Sequence, residues 1–224
     1  MKFTIFHFKN SGLAIFLFLI LFLHAGAQPL YFNWAKQVTG ISISKNTLCD
    51  AVGNVYLIGR FNGTVDMDPS AAIYNLTSNG GSDVFIVKYS PGGNFLWAVQ
   101  FGSLGIDDGY DLEVDGAGNI IATGYYQFTV DFDPGVSVNN RTATGSQDVF
   151  VIKLNSSGNL IWANSIGGTM TDYGTSLSLD ASGSIYTTGQ YAGTMDFDPG
   201  AGIFSMTAAG GSDVYVTKTD ASGN

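Results

Sequence analysis

Beyond an apolar opening, the chain alternates between apolar and polar positions. Phe95, Trp97, Val99 and Phe101 take every second place of one seven-residue segment. That period puts them on one face of an extended strand. Tyr110-Asp-Leu112-Glu-Val114 alternates as well, and Asp115-Gly-Ala-Gly-Asn119 supplies a turn after it. Ile120–Tyr126 reads as the next strand. Val149-Phe-Val-Ile152 is apolar at every position, as in a strand covered on both faces. Asn155-Ser-Ser-Gly-Asn159 then turns the chain into a segment around Trp162. The spacing predicts four antiparallel strands. The long connection from Gly124 to Asp148 predicts an added hairpin, with Thr129–Asp133 and Gly135–Val138 as its arms.

This pattern returns every 65 residues. The interval links Asp50, Asp115 and Asp180; Gly59, Gly124 and Gly189; Asp66, Asp131 and Asp196; Asp83, Asp148 and Asp213; and Lys88, Lys153 and Lys218. Trp34, Trp97 and Trp162 follow nearly the same spacing. So many residue types in one register mark a tandem array. Units run over 34–96, 97–161 and 162–224, after a lead-in over 28–33. Four strands per unit with turns between them is the arithmetic of a propeller blade. The predicted fold is all-β, with four-stranded antiparallel blades. About three blades in an open arc are too few to close a ring, and the chain stops at the turn Asp220–Asn224. The sequence is therefore expected to be the N-terminal part of a longer array, with further blades to follow.

The first residues are different. Lys2 and Lys9 precede an unbroken apolar run, Leu13–Leu23, and Ala25-Gly-Ala27 is a small-x-small cleavage site. Residues 1–27 read as a secretory signal peptide. The run is shorter than a membrane span, so no membrane insertion is expected after cleavage. The protein is expected to be secreted or to sit at the cell surface. The net charge is −9 over 224 residues, and more negative once Lys2 and Lys9 leave with the leader. Such a surface repels phosphate backbones, and no nucleic-acid partner is expected.

Composition limits the chemistry further. The only histidines are His7 and His24, both within the leader. A mature chain without imidazole has no Ser-His-Asp triad and no His-ligated zinc. Cys49 is the only cysteine. It sits where later units have Val114 and Leu179, and is expected to be a buried, inert thiol. Glu113 is the only glutamate and is expected to be solvated on a strand face opposite Val114. Every other acid is Asp, a turn residue.

One motif could bind metal. Asp66-Met-Asp68-Pro, Asp131-Phe-Asp133-Pro and Asp196-Phe-Asp198-Pro place two carboxylates two residues apart. In extended backbone both lie on one face and could share calcium. Thr64, Thr129 and Thr194 could add a hydroxyl. The competing reading has one Asp of each pair cap the turn before Pro through its side-chain oxygen. Asp83, Asp148 and Asp213 read as strand-entry turn residues. The three lysines are expected to pair with a recurring Asp, and the tryptophans to pack between blades.

Asp50-Ala-Val-Gly-Asn54 with Val55-Tyr-Leu-Ile-Gly59, Gly81-Ser-Asp-Val-Phe-Ile-Val-Lys88, and Gly93-Asn94 with Trp97 resemble the SBBP repeats. Those are seven-bladed β-propeller repeats of bacterial secreted and surface proteins. The resemblance covers 34–224 and implies a scaffold or surface-exposed module. Propeller loops gather at the two ends of the channel, where recognition usually lives, so a non-catalytic scaffold that binds an extracellular protein or glycan through its loops is expected. A remoter similarity is to quinone-dependent dehydrogenase propellers. It keeps an alternative open, in which a hydrolase or quinone-dependent oxidoreductase has its active site in blades beyond these.

Overall fold

The computed structural model describes residues 32–224. The signal peptide expected over 1–27 lies outside them. All regular structure among the described residues is β, in sixteen strands.

The first sheet contains β1 (Thr39–Cys49), β2 (Val55–Asp66), β4 (Asp83–Tyr89) and β5 (Phe95–Phe101), in that order, with β3 (Asn75–Thr77) paired to the far end of β2. All neighbours in it are antiparallel. The second sheet repeats the order with β6 (Asp108–Val114), β7 (Ile120–Tyr126), β10 (Asp148–Leu154) and β11 (Leu160–Gly168). Its hairpin is β8 (Thr129–Asp131) and β9 (Asn140–Thr142). The third holds β12 (Tyr173–Leu179), β13 (Ile185–Tyr191) and β16 (Asp213–Thr219), with the hairpin β14 (Thr194–Asp196) and β15 (Ser205–Thr207) paired to the end of β11.

The four-stranded blades expected from the alternation are present in the first two sheets, and the third sheet has three of the four strands. They are offset from the sequence units by one strand, because the Trp segment that opens the second unit closes the first sheet. The added hairpin is also present, but its second arm is Asn140–Thr142. Gly135–Val138 forms the bend instead: Phe132 N–H bonds Asn139 O, so pairing resumes only after Val138.

Why the sheets stack follows from the doubly apolar strands. Every residue of β4 and β7 is buried, and nearly every residue of β10. Tyr56, Ile58 and Ile86 of the first sheet meet Leu112, Ile120, Phe150 and Ile152 of the second. Ile121 and Val149 on the opposite face meet Leu177, Ile185 and Tyr215 of the third. Each fully buried side chain of this size contributes about 1.5–3 kcal/mol. Phe132, from the hairpin bend, fills the first interface with its ring 5.5 Å from Phe150 and 5.8 Å from Phe101.

The periodic glycine on the second strand of each sheet has a steric cause. The first strand bulges beside it, with register shifts at Ser44/Asn46, Gly109/Asp111 and Gly174/Ser176. A Cβ on Gly59, Gly124 or Gly189 would lie 1.9, 2.0 or 1.7 Å from the carbonyl oxygen of Ile43, Asp108 or Tyr173. Only glycine lets the bulged backbone come this close.

Candidate functional site

Most of the residues that recur in the sequence are used in building the blades. Asp50 Oδ1 accepts N–H bonds from Val52 and Asn54, Asp115 Oδ1 from Ala117 and Asn119, and Asp180 Oδ1 from Ser182 and Ser184. These are Asx turns closing the first hairpin of each sheet. Asp83, Asp148 and Asp213 cap the turn before their strands, taking the N–H of Asn79, Thr144 and Ala209. Lys153 Nζ lies 3.0 Å from Asp115 and Lys218 Nζ 3.7 Å from Asp180, the pairing expected of these lysines. Lys88 departs from it: its ammonium lies over the Tyr56 ring and donates to Ser156 O. Trp97 and Trp162 reach across to the neighbouring sheet, where their Nε1–H donates to Ser156 O and Ala221 O.

The paired aspartates hold the hairpin bends. Asp66 Oδ1 accepts from Asp68 N–H and Tyr74 N–H, Asp131 Oδ1 from Asp133 and Asn139, and Asp196 Oδ1 from Asp198 and Phe204. Asp68, Asp133 and Asp198 each accept the N–H two residues on. The residue between each pair is buried while both carboxylates stay half-buried, so they do share a face. Thr64, Thr129 and Thr194 are engaged elsewhere. Their hydroxyls bond Thr77, Thr142 and Thr207 across the hairpin, at 2.8–2.9 Å. Calcium takes six to eight oxygen ligands, and among the described residues no group of three or more His, Cys, Asp or Glu is close enough to hold a metal.

Two singular residues differ from expectation. Cys49 is exposed. Val114 packs in the core between the first and second sheets, and Leu179 in that between the second and third. Cys49 holds the same position in the first sheet, which no described sheet precedes. Glu113 is half-buried, and burial, with Asp111 beside it, raises its pKa. Both line a cleft of about 460 Å³ beside the turns after β1 and β6.

The first strands of the three sheets lie side by side and are tied by polar contacts. Asn46, Asp111 and Ser176 are equivalent positions one period apart. Asn46 Nδ2 donates to one oxygen of Asp111, and Ser176 Oγ donates to the other at 2.7 Å. Leu177 N–H adds a bond of 2.9 Å to that second oxygen.

Nearer the starts of these strands the repeat breaks. Ile43, Asp108 and Tyr173 are equivalent, as are Lys45, Tyr110 and Thr175, and Arg60, Tyr125 and Gln190. Six of these side chains gather. Asp108 is completely buried, with Arg60 Nη1 at 3.3 Å and Lys45 Nζ at 3.5 Å. Among the described residues neither oxygen of Asp108 has a hydrogen-bond partner of good geometry. Lys45 Nζ lies 4.9 Å from the centre of the Tyr110 ring. Tyr110, Tyr125 and Tyr173 continue as a run of rings, with centroids 6.0 and 5.0 Å apart. Burial raises the pKa of Asp108, and Lys45 and Arg60 act against that rise. Burial, helped by Asp108, pushes Tyr125 up to about 12. The phenols therefore stay protonated at neutral pH and can donate hydrogen bonds.

None of these six was singled out from the sequence. The legible signal was a departure from the period at three positions, in a chain whose other positions mostly keep it. The cluster presents two cations partly open to solvent and the half-buried rings of Tyr110 and Tyr173, above the buried Asp108 and Tyr125.

No family model matches the chain. Over 127 residues, 50% of its length, it is 28% identical to the Uncharacterized WD repeat-containing protein L264 of Acanthamoeba polyphaga mimivirus. Over 184 residues, 82% of its length, it is 26% identical to Regulatory protein FlaEY of Caulobacter vibrioides. The matched stretches span 9% and 19% of those two proteins. Neither is named as an enzyme. With its stacked antiparallel sheets and a WD-repeat relative, the chain is a β-propeller-like repeat protein.

Proposed function

We propose that this chain is an exported, non-catalytic propeller scaffold that binds an extracellular protein or glycan through Lys45, Arg60, Tyr110 and Tyr173, held in place by the buried Asp108 and Tyr125. One observation carries the reading. Where the three repeats diverge in these positions, the divergent side chains converge in space on the first two strands of the sheets. Residues repeated in every blade build the frame, and a binding site is a singular feature set on it. Tyr and Arg are also the residue types that dominate binding energy at recognition surfaces. The resemblance to SBBP repeats of bacterial secreted and surface proteins supports the same assignment. The leader over 1–27 supports export, and calcium at the Asp66/Asp68, Asp131/Asp133 and Asp196/Asp198 pairs belongs to the proposal as a stabilising ion.

The test is a glycan microarray run beside a blot of extracellular proteins, probed with the mature chain and two variants. Arg60→Ala with Tyr110→Ala is expected to weaken any captured ligand more than tenfold, in line with hot-spot losses of about 2 kcal/mol. Ser137→Ala, on the hairpin bend, is expected to bind as the parent does. Equal binding by all three proteins would move the site away from the cluster.

A further inference from the structure

Beside the candidate site the second sheet carries an exposed apolar patch. Leu104 and Ile106, in the loop from β5 to β6, are 80% and 46% exposed, and Phe128, after β7, is 63% exposed. The second sheet packs against a described sheet on either face, and the patch stays open all the same. Phe128 lies over the loop: a Cβ on Gly105 would meet its Cε2 at 3.0 Å. Gln127 fixes the loop in place, its Oε1 accepting Ile106 N–H at 2.7 Å. The patch also departs from the repeat, since the third unit has Thr169 and Thr171 where the second has Leu104 and Ile106.

Phe128 is the sharpest departure. Its equivalents are Gly63 and Gly193. All three have left-handed backbone, with φ of 70°, 53° and 62° at Gly63, Phe128 and Gly193. The hairpin demands it, because the carbonyl oxygen of each accepts an N–H from across the bend, from Ser78, Ala143 and Ala208. Glycine adopts this conformation freely, whereas a bulky side chain is strained in it. Among the described residues no other non-glycine residue has a positive φ. Strain kept on a mostly exposed ring points to a use outside the fold.

The patch is continuous with the candidate site. Ile106 stands two residues before Asp108, and Phe128 three after Tyr125. Lys45 and Arg60 both face Asp108, whose single carboxylate answers one of their two charges. The neighbouring carboxylates are engaged elsewhere. Asp107 accepts N–H bonds from Ser103 and Gln127, and Asp111 bonds Asn46, Ser176 and Leu177. A positive charge is thus left for a ligand, beside aliphatic side chains that cannot bond the hydroxyls of a sugar. We propose that the partner is a polypeptide segment with a carboxylate next to an apolar side chain. The carboxylate meets Lys45 and Arg60, and the apolar side chain lies on Leu104, Ile106 and Phe128. This assignment rests on the reading of the cluster as the binding site and names its partner class.

The test is selection of a phage-displayed library of random dodecapeptides on the mature chain. Enriched peptides are expected to share Asp or Glu beside Phe, Leu, Ile or Met. A synthetic peptide of the enriched sequence is then titrated against variants. Phe128→Gly and Arg60→Ala are each expected to weaken it more than tenfold, the scale of a hot-spot residue. Phe128→Gly also installs the residue that Gly63 and Gly193 supply at this bend, so its melting temperature is expected to equal or exceed the parent's. A residue that served packing alone would lower the melting temperature when lost. No enriched peptide, enriched peptides without a carboxylate, or binding unchanged in Phe128→Gly would overturn the proposal. A glycan captured instead, with sensitivity to Arg60→Ala and Tyr110→Ala but not to Phe128→Gly, would overturn the polypeptide partner and leave the cluster as the site. Peptide binding unchanged in both Phe128→Gly and Arg60→Ala would overturn both. Self-association of the mature chain that Phe128→Gly abolishes would give the patch to a second copy and overturn the proposal as well.

Discussion

At the scale of single residues, the recurring glycine on the second strand is the strictest demand the fold makes. Gly124 lies where a methyl group would stand 2.0 Å from Asp108 O and 2.8 Å from the Phe150 ring. The first contact is with backbone, which cannot rotate away. Gly124→Ala is therefore expected to cost about 3 kcal/mol, in the range of overpacked core sites. At Gly116, in the adjacent turn, a methyl group would meet nothing within 4 Å. Gly116→Ala is expected to change stability by less than about 0.5 kcal/mol. Urea denaturation of both variants checks the contrast, and equal losses would mean the bulge can relax. The same position matters to the candidate site, because the bulge separates Asp108 from Asp111 on β6. One residue reaches Lys45 and Arg60, and the other bonds Asn46 and Ser176.

At the scale of elements, the hairpins show what alternation could and could not reveal. Strand existence was legible, because Phe95–Phe101, Ile120–Tyr126 and Val149–Ile152 carry period or unbroken apolarity. The second hairpin arm was not. Gly135-Val-Ser-Val138 alternates and mimics a strand, while the true arm Asn140–Thr142 is polar. Val136 is fully exposed and Val138 mostly so, so their apolar character does not report burial. The recurring turns were legible for the same reason that the site was not: tandem repetition exposes what is shared and hides what is singular. Asp131 tests the hairpin. Its Oδ1 accepts from Asp133 N–H at 3.0 Å and Asn139 N–H at 2.8 Å. Bonds to a charged acceptor contribute roughly 1.5–3 kcal/mol. Asp131→Ala is expected to lower stability by about 2 kcal/mol and to speed amide exchange across β8 and β9, whereas Asp131→Asn keeps an acceptor and most of the stability. Millimolar calcium raises the melting temperature over chelator if the pair holds the ion, through preferential binding to the native state. In that case Asp131→Asn also loses part of the calcium-dependent rise. An unchanged melting temperature would remove calcium and leave the turn.

For the molecule as a whole, buried aspartates rather than surface ion pairs set the response to pH. Asp83 is completely buried, and a methyl group on Gly102 would overlap its carboxyl carbon. Its Oδ2 accepts Asn79 N–H, and among the described residues its Oδ1 has no hydrogen-bond partner. Burial is the main cause that pushes its pKa up to about 6; the Asn79 bond lowers it, and Asp107 raises it further. Burial also raises Asp107, Asp148 and Asp172. In the unfolded chain Asp titrates near 3.8. Between about pH 4 and 6 the native state therefore holds protons that the unfolded state has released, so stability falls as pH rises through this window. Asp115 works in the opposite sense at lower pH. Burial pushes it up, but bonds from Asn119, Lys153 and Ala117 outweigh burial and hold it at about 2. Its contribution is present above about pH 4 and is lost as pH falls toward 2. The acidic surface adds self-repulsion that grows toward neutral pH. The melting temperature is expected to be higher at about pH 5 than at about pH 7 and to fall steeply below about pH 3. Asp83→Asn keeps an acceptor for Asn79 and removes the titrating group. That variant is expected to be no less stable than the parent at about pH 7 and to show a shallower slope between about pH 5 and 7. A parent whose stability rises across that interval, or an Asp83→Asn slope equal to the parent's, would show that the buried carboxyls stay ionised.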